Sequence, residues 1–237
     1  MRPTRRTTRS APRAWLAAAA VALAGPVTVE AQGAVIAVLP FENSGSYGQD
    51  REAFEALAAG LPEILATTLA AHPGIRVPDR GRIATAAAGQ HLGAGRRVDA
   101  GMAAAIAKAV GARYAIAGSF ADFYGKFRIN ARVVDAETGQ ILKVVSNDDP
   151  KLQDRAQLAP ILQLVAERIV AAAGLPSFPE AVAAQRRALP TDALLAFSRG
   201  ALLEARGNRA KAAEAYQQAL TAAPDLAEAR AGLERVR

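Results

Sequence analysis

The chain has 237 residues, 51% of them hydrophobic, with 29 Lys and Arg against 22 Asp and Glu for a formal net charge of +7. It has no cysteine, which excludes disulfides and a cysteine-linked lipid anchor. Five arginines stand in the first 14 residues and Glu30 is the one acid before residue 32; beyond that stretch 24 basic and 21 acidic residues remain, net +3, which makes no case for a nucleic-acid partner.

The amino terminus reads as a secretory signal. Arg2, Arg5, Arg6, Arg9 and Arg13 form a basic stretch, and Trp15 to Ala24 is apolar. That run is shorter than the ~20 residues a bilayer core requires. Gly25-Pro26 breaks it, and Val29-Glu30-Ala31 offers a small-x-small cleavage site. Cleavage is expected after Ala31, leaving a mature chain that is periplasmic or secreted and has no membrane span. About 205 residues then allow one good core and an appendage.

From residue 32 the pattern alternates between strand and helix. Val35 to Leu39 is a near-continuous apolar run closed by Pro40, as expected of a strand buried on both faces. Ser44 to Gly48 is a Gly/Ser loop. Phe54, Leu57, Ala58, Leu61, Ile64, Leu65, Thr68 and Leu69 recur at three- and four-residue steps, one face of a helix. Pro62 predicts a kink there, or the first turn of a second helix after Gly60. His72-Pro73-Gly74 stops the helix, and Ile75 to Val77 is a short strand.

Asp79 to Ala88 predicts a short helix and Gln90 to Arg96 a loop. Asp99 is placed to cap the next helix, with an apolar face of Val98, Met102, Ala105, Ile106 and Ala109 and a stop at Gly111. Tyr114 to Phe120 is a strand. In the next strand Phe127, Ile129, Ala131 and Val133 alternate with Arg128, Asn130 and Arg132, so one face is wet. Gly125 sits in the hairpin between the two. Asp135 to Gly139 turns the chain, Ile141 to Val145 makes a third strand, and Leu158 to Ala172 carries the face of a closing helix. The fold class is α/β: a mixed sheet with parallel strands joined by crossover helices, then an antiparallel meander.

The order AVIAVLPF, helix, GIRV, helix ending at Val110-Gly111, ARYAIAGS, amphipathic strand and VDAETG resembles the amino-terminal domain of TolB-like proteins and the related CsgG-like and FlgO-like envelope families. It is also similar to the fold of outer-membrane activators of penicillin-binding proteins. The resemblance covers roughly residues 33–173. It implies envelope assembly, ring or channel formation or partner activation, and it implies no active site. CsgG-like channels carry a lipidated cysteine and long membrane-spanning hairpins, both missing here, so a pore is not expected.

Residues 174–190 hold Pro176, Pro179 and Pro190 and read as a linker, with a short helix around Glu180 to Arg187. From residue 191, Ala196, Gly200, Leu203, Gly207, Ala212, Tyr216, Ala219 and Pro224 follow the tetratricopeptide spacing of helix, turn at Gly207-Asn208, and helix. Asp225 to Val236 would cap it. Three helices are too few for a free-standing solenoid. This small all-α unit is expected to pack on the α/β domain or on another subunit.

Candidate chemistry is sparse. The loop at 43–49 lies between strand and helix, where phosphates bind, but no Lys-Ser or Lys-Thr follows and the G-x-G-x-x-G spacing is missing. The Gly-rich stretch 89–95 carries the same discount. His72 and His91 are the only histidines and stand in no ligand spacing. Ser119 has no assignable base. Neither catalytic, cofactor nor metal residues are expected.

The best surface patch is Lys126, Arg128 and Arg132 on one strand face with Phe123 and Tyr124 at the hairpin, joined by Tyr47 from the 43–49 loop; in the tail, Phe197, Leu203 and Tyr216 are the candidate contacts. The expected function is a non-enzymatic envelope module that binds protein partners or further copies of itself, at most peripheral to a membrane and without nucleic acid. The alternative is a sensor domain that binds a small ligand or nucleotide with the loops at 43–49 and 89–95.

Overall fold

A computed structural model of the protein describes residues 33–48, 50–90, 97–148, 151–184 and 189–237. The expected signal segment, His91 with its loop, Asp149 and the Arg186-Arg187 pair lie outside the described residues.

Seven strands form one mixed sheet. β1 (Ala34–Val38) runs parallel to β3 (Ile75–Arg76) on one side and to β4 (Tyr114–Phe123) on the other. β4 pairs antiparallel with β5 (Lys126–Asp135), and β5 with β6 (Ile141–Ser146), giving the order β3-β1-β4-β5-β6. Two short strands extend it: β2 (Glu42–Asn43) pairs with β4, and β7 (Gln153–Asp154) with β5. Asn147 splices β6 to β7. Its buried side chain accepts from Ile129 N at 2.6 Å and donates to Phe127 O at 2.9 Å, so β5 keeps its ladder across the gap.

Helices cover both faces. α1 (Arg51–Ala70) and α4 (Leu158–Ala172) pack on the face carrying Ile36, Ile116, Phe120, Phe127, Ile129 and Val133. α2 (Arg80–Gly89) and α3 (Ala100–Val110) cover the other, against Ala37, Leu39, Ala115 and Ala117. The strand alternation of β5 is as expected: Phe127, Ile129, Ala131 and Val133 are buried, and Arg128, Asn130 and Arg132 between them are half-exposed. α1 runs unbroken through Pro62, so no second helix starts there. The lost bond to Ala58 is outweighed by burial of Leu57, Leu61, Leu65 and Leu69 along the same face.

Asp99 caps α3 by accepting from Met102 N at 2.8 Å, as expected. The buried face of α3 is displaced from the expected one. Ala103, Ala104, Ile106, Ala107 and Val110 are buried, while Met102 and Ala105 are half-exposed and Ala109 is exposed. An alanine-rich helix gives little amplitude by which its inner face can be told.

The tail folds back onto α1. α5 (Glu180–Ala184) is a single short helix in the connecting segment. α6 (Thr191–Ala205) and α7 (Arg209–Ala222) form an antiparallel pair, and α8 (Ala227–Val236) closes against them. Leu194 and Phe197 of α6 join the same core cluster as Leu57 and Leu61 of α1. Gly60 is where the two helices approach. A Cβ there would stand 2.7 Å from the Cα of Ser198. The described residues form one compact unit.

The α1–α6 junction also carries charge. Glu204 accepts from Tyr216 Oη at 2.6 Å and from Arg235 Nε at 2.8 Å. Arg80 pairs with Glu63, and Arg206 Nη2 reaches Glu55 Oε2 at 2.6 Å. Arg206 thereby ties the tail to α1, and Arg80 Nη1, 3.8 Å from Glu204 Oε2, ties it to α2, beside its apolar face.

Candidate protein-contact surface

The β4–β5 hairpin closes on the pair Phe123 and Lys126, leaving Tyr124-Gly125 as a two-residue loop. Both loop residues have positive φ, 55° at Tyr124 and 88° at Gly125. A hairpin of this length favours such a turn because its twist matches that of the strands, and the residues that fill it most readily are Asn and Gly. Gly125 meets the demand. Tyr124 is the one described non-glycine residue held at positive φ, and its side chain is 85% exposed.

The turn is braced from below. Asp122, 1% exposed, accepts from Gly125 N at 2.6 Å. Its Oδ2 lies 2.9 Å from Arg155 Nη1, an ion pair. Arg155 also donates its backbone N–H to Gly125 O at 2.7 Å. The hairpin is therefore clamped to the turn that precedes α4.

The loop after β2 brings Tyr47 to the tip. Asn43 Oδ1 accepts from Ser46 N at 3.0 Å and from the Ser46 hydroxyl at 2.7 Å, Ser46 Oγ accepts from Asp122 N at 3.0 Å, and Ser44 Oγ donates to Phe120 O at 3.0 Å. Tyr47 N donates to Asp122 O at 2.8 Å, forming a parallel bridge with Phe123. The Tyr47 ring lies 5.9 Å from that of Phe123 and 6.3 Å, stacked, from that of Tyr124. Tyr47 is 56% exposed. The polar groups of residues 43–47 are thus largely spent on holding Tyr47 against β4. They are not left as a cradle of donors for a phosphate.

The charges around the rings are paired. Lys126 Nζ reaches Asp154 at 2.7 Å, and Arg128 Nη2 reaches Asp148 at 2.8 Å. The Ser146 hydroxyl, and after it the Arg128 guanidinium, holds the Asp148 carboxyl below the usual carboxylate range against the effect of burial. The Arg128 guanidinium also stands 6.0 Å over the Phe123 ring. The surface is aromatic with a neutralised rim, and it is not the strongly basic face that the strand sequence alone suggests.

Five of the nine expected contact residues therefore meet in space: Tyr47, Phe123, Tyr124, Lys126 and Arg128. Arg132 does not join them, because its Nη2 donates to Val98 O at 2.6 Å beneath the α2–α3 layer. Phe197 and Tyr216 are fully buried and Leu203 half-buried. Tyr216 lies between α6 and α8, where a Cβ at Gly200 or Gly232 would come within 2.5 Å of its ring. Burial raises its hydroxyl pKa, and the bond to Glu204 adds to that. Phe197 and Tyr216 hold the tail together and do not offer it to a partner. Sequence reasoning missed Asp122 and Arg155. Asp three residues ahead of a hairpin glycine is the signal that points to the first, and Arg155 has no local signal.

His72 is a structural residue. Gly74 N donates to its Nδ1 at 3.0 Å, its Nε2 contacts Pro176 O at 3.0 Å, and its ring meets the edge of Phe178 at 5.2 Å. Among the described residues no three His, Cys, Asp or Glu side chains converge as metal ligands would.

No family model matches the chain, and no curated protein matches it. Solved structures show a distant likeness. LpoB from E. coli is 21% identical over 48% of this chain, with a TM-score of 0.41. The match spans about half, 55%, of that chain. The LpoB C-terminal domain from Salmonella enterica is 19% identical over 48% of this chain and 81% of that one, TM-score 0.39. TolB from Acinetobacter baumannii is 16% identical over 60% of this chain and 28% of that one, TM-score 0.35. With each of these TM-scores below 0.5, the likeness fixes neither a family nor an activity for this chain.

Proposed function

We propose that this chain is a non-enzymatic exported envelope protein that binds a protein partner through the aromatic tip of its β4–β5 hairpin. The observation that carries the reading is Tyr124. A tyrosine in the left-handed region costs about 1 kcal/mol against glycine. This one is also 85% exposed, so its ring recovers almost none of that cost by burial within the chain. Braced by Asp122 and stacked on Tyr47, it presents a rigid aromatic anchor with a polar hydroxyl. Tyrosines of this kind are enriched at protein contacts.

The amino-terminal segment supports export, and the order of strand and helix motifs that resembles TolB-like, CsgG-like and FlgO-like proteins supports an envelope setting. The tail has tetratricopeptide spacing, and we read it as one such unit. Docked on α1, it stiffens the α/β body instead of acting as a free adaptor. The spent donors of residues 44–47 weigh against the phosphate-sensor alternative.

Tyr124→Gly tests the reading. The variant is expected to be more stable than the parent by about 1 kcal/mol, since the turn strain is relieved. It is also expected to lose a partner that the parent captures from envelope extract. Capture unchanged by Tyr124→Gly and by Tyr47→Ser would refute the assignment of this surface.

A further inference from the structure

The second exposed apolar feature lies at the sheet edge. Five large apolar or aromatic residues are exposed among the described residues; Tyr47 and Tyr124 are at the tip, and Ile141 (44%), Leu142 (46%) and Val144 (55%) stand together on β6. β6 pairs with β5 on one side. On its other side no strand pairs with it among the described residues. Its outer backbone N–H and C=O groups therefore form an open ladder, and exposed apolar side chains flank them. Bare edges of this kind are normally blunted by Pro or by inward charges. Here the blunting devices are the register shift between Val133 and Val134 and the one cation Lys143.

The register sorts the side chains. Val144 stands across from Arg132 and Ile141 across from Val134, on the face of the sheet that carries α2 and α3. Lys143 stands across from Val133, on the α4 face. Lys143 is exposed and forms no ion pair among the described residues. At the far end Arg168 of α4 donates to Ser146 O, which leaves 141–145 as the open stretch.

We infer that β6 is an acceptor strand for an extended segment of a partner protein. That segment alternates apolar residues, set beside Ile141 and Val144, with a carboxylate set beside Lys143. The backbone ladder supplies attraction, and the alternate side chains supply selection. A second copy of this chain fits less well. The two-fold antiparallel register that keeps Ile141 to Val145 paired sets Lys143 directly opposite its own counterpart, and like charges in register repel. This surface lies on the outer strand and not at the hairpin tip, so it stands or falls apart from the reading of Tyr124.

The test uses the full chain and two fluorescein-labelled synthetic peptides. One alternates valine with glutamate between threonine ends; the other has lysine in place of glutamate. The acidic peptide is expected to bind, to slow hydrogen exchange at the amides of 141–145, and to bind at least several-fold more tightly than the lysine peptide. Lys143→Glu should reverse that order, and Val144→Lys, at an exposed edge position, should abolish binding with the melting curve preserved. The inference is overturned if neither peptide protects these amides, if protection falls elsewhere, or if they are already protected in a peptide-free dimer.

Discussion

Gly60→Ala isolates the docking of the tail on α1. Gly60 lies inside a 20-residue helix, where alanine is ordinarily favoured by about 1 kcal/mol. If α6 stood away from α1, the substitution would stabilise the protein by that amount. In the structure the new Cβ would stand 2.6 Å from Ser198 Cβ and 2.7 Å from Ser198 Cα. Carbon atoms settle near 3.5–4.0 Å, so the helices must part by roughly 1 Å. Overpacking of this kind costs about 1–3 kcal/mol, and because a backbone atom is in the way the upper half of that range applies. The net loss is then about 1–2 kcal/mol, or roughly 2–8 °C in Tm for a chain of this size. Thermal and urea unfolding followed by circular dichroism read the sign directly. Gly101→Ala in α3 is the control. Its Cβ would meet nothing closer than Asp99 Oδ1 at 3.4 Å, so it should be neutral or stabilising. A Gly60→Ala protein as stable as the parent, or more so, would refute the docked arrangement.

Asp122→Ala removes the acceptor of the turn N–H and the nearer of two carboxylates paired with Arg155, and is expected to cost about 2 kcal/mol and to speed hydrogen exchange at 123–126. Unchanged exchange there would mean that the tip is not clamped from below. Burial pushes the Glu63 carboxyl up, against the pull of Arg80 and Arg235. A carboxyl raised in the folded state adds stability below its unfolded value, roughly pH 4.3, and that stability is lost as pH rises through the folded value. Glu63→Gln should therefore raise Tm at pH 7 and give a smaller gain, or none, at pH 4. The opposite trend would show that the ion pair with Arg80 outweighs burial.

Local signals made much of the fold legible. The alternation in 127–133, the Asp99 cap and the apolar run at 35–39 each act over a few residues, and each stands where it was expected. β2 and β7 are two-residue strands that exist only because β4 and β5 offer a partner, so nothing in Glu42-Asn43 or Gln153-Asp154 announces them. Arg132 and Arg128 occupy equivalent positions in the strand pattern. What separates them is the Val98 carbonyl, which arrives from 34 residues away. Aromatics at repeat spacing have two readings, and burial decides between them: Phe197 and Tyr216 are core. The edge at β6 carries no local signal: Ile141-Leu142-Lys143-Val144-Val145 shows no clean alternation, and its exposure follows from its place at the end of the strand order.

Photo-crosslinking in living cells tests the central claim most directly. With p-benzoylphenylalanine at position 124, and separately at 47, the full chain should yield one discrete adduct with another envelope protein. The same probe at Lys108, exposed on α3, should not. Failure to form an adduct from either tip position, or the same adduct from position 108, would contradict the assignment of the hairpin tip as the contact surface.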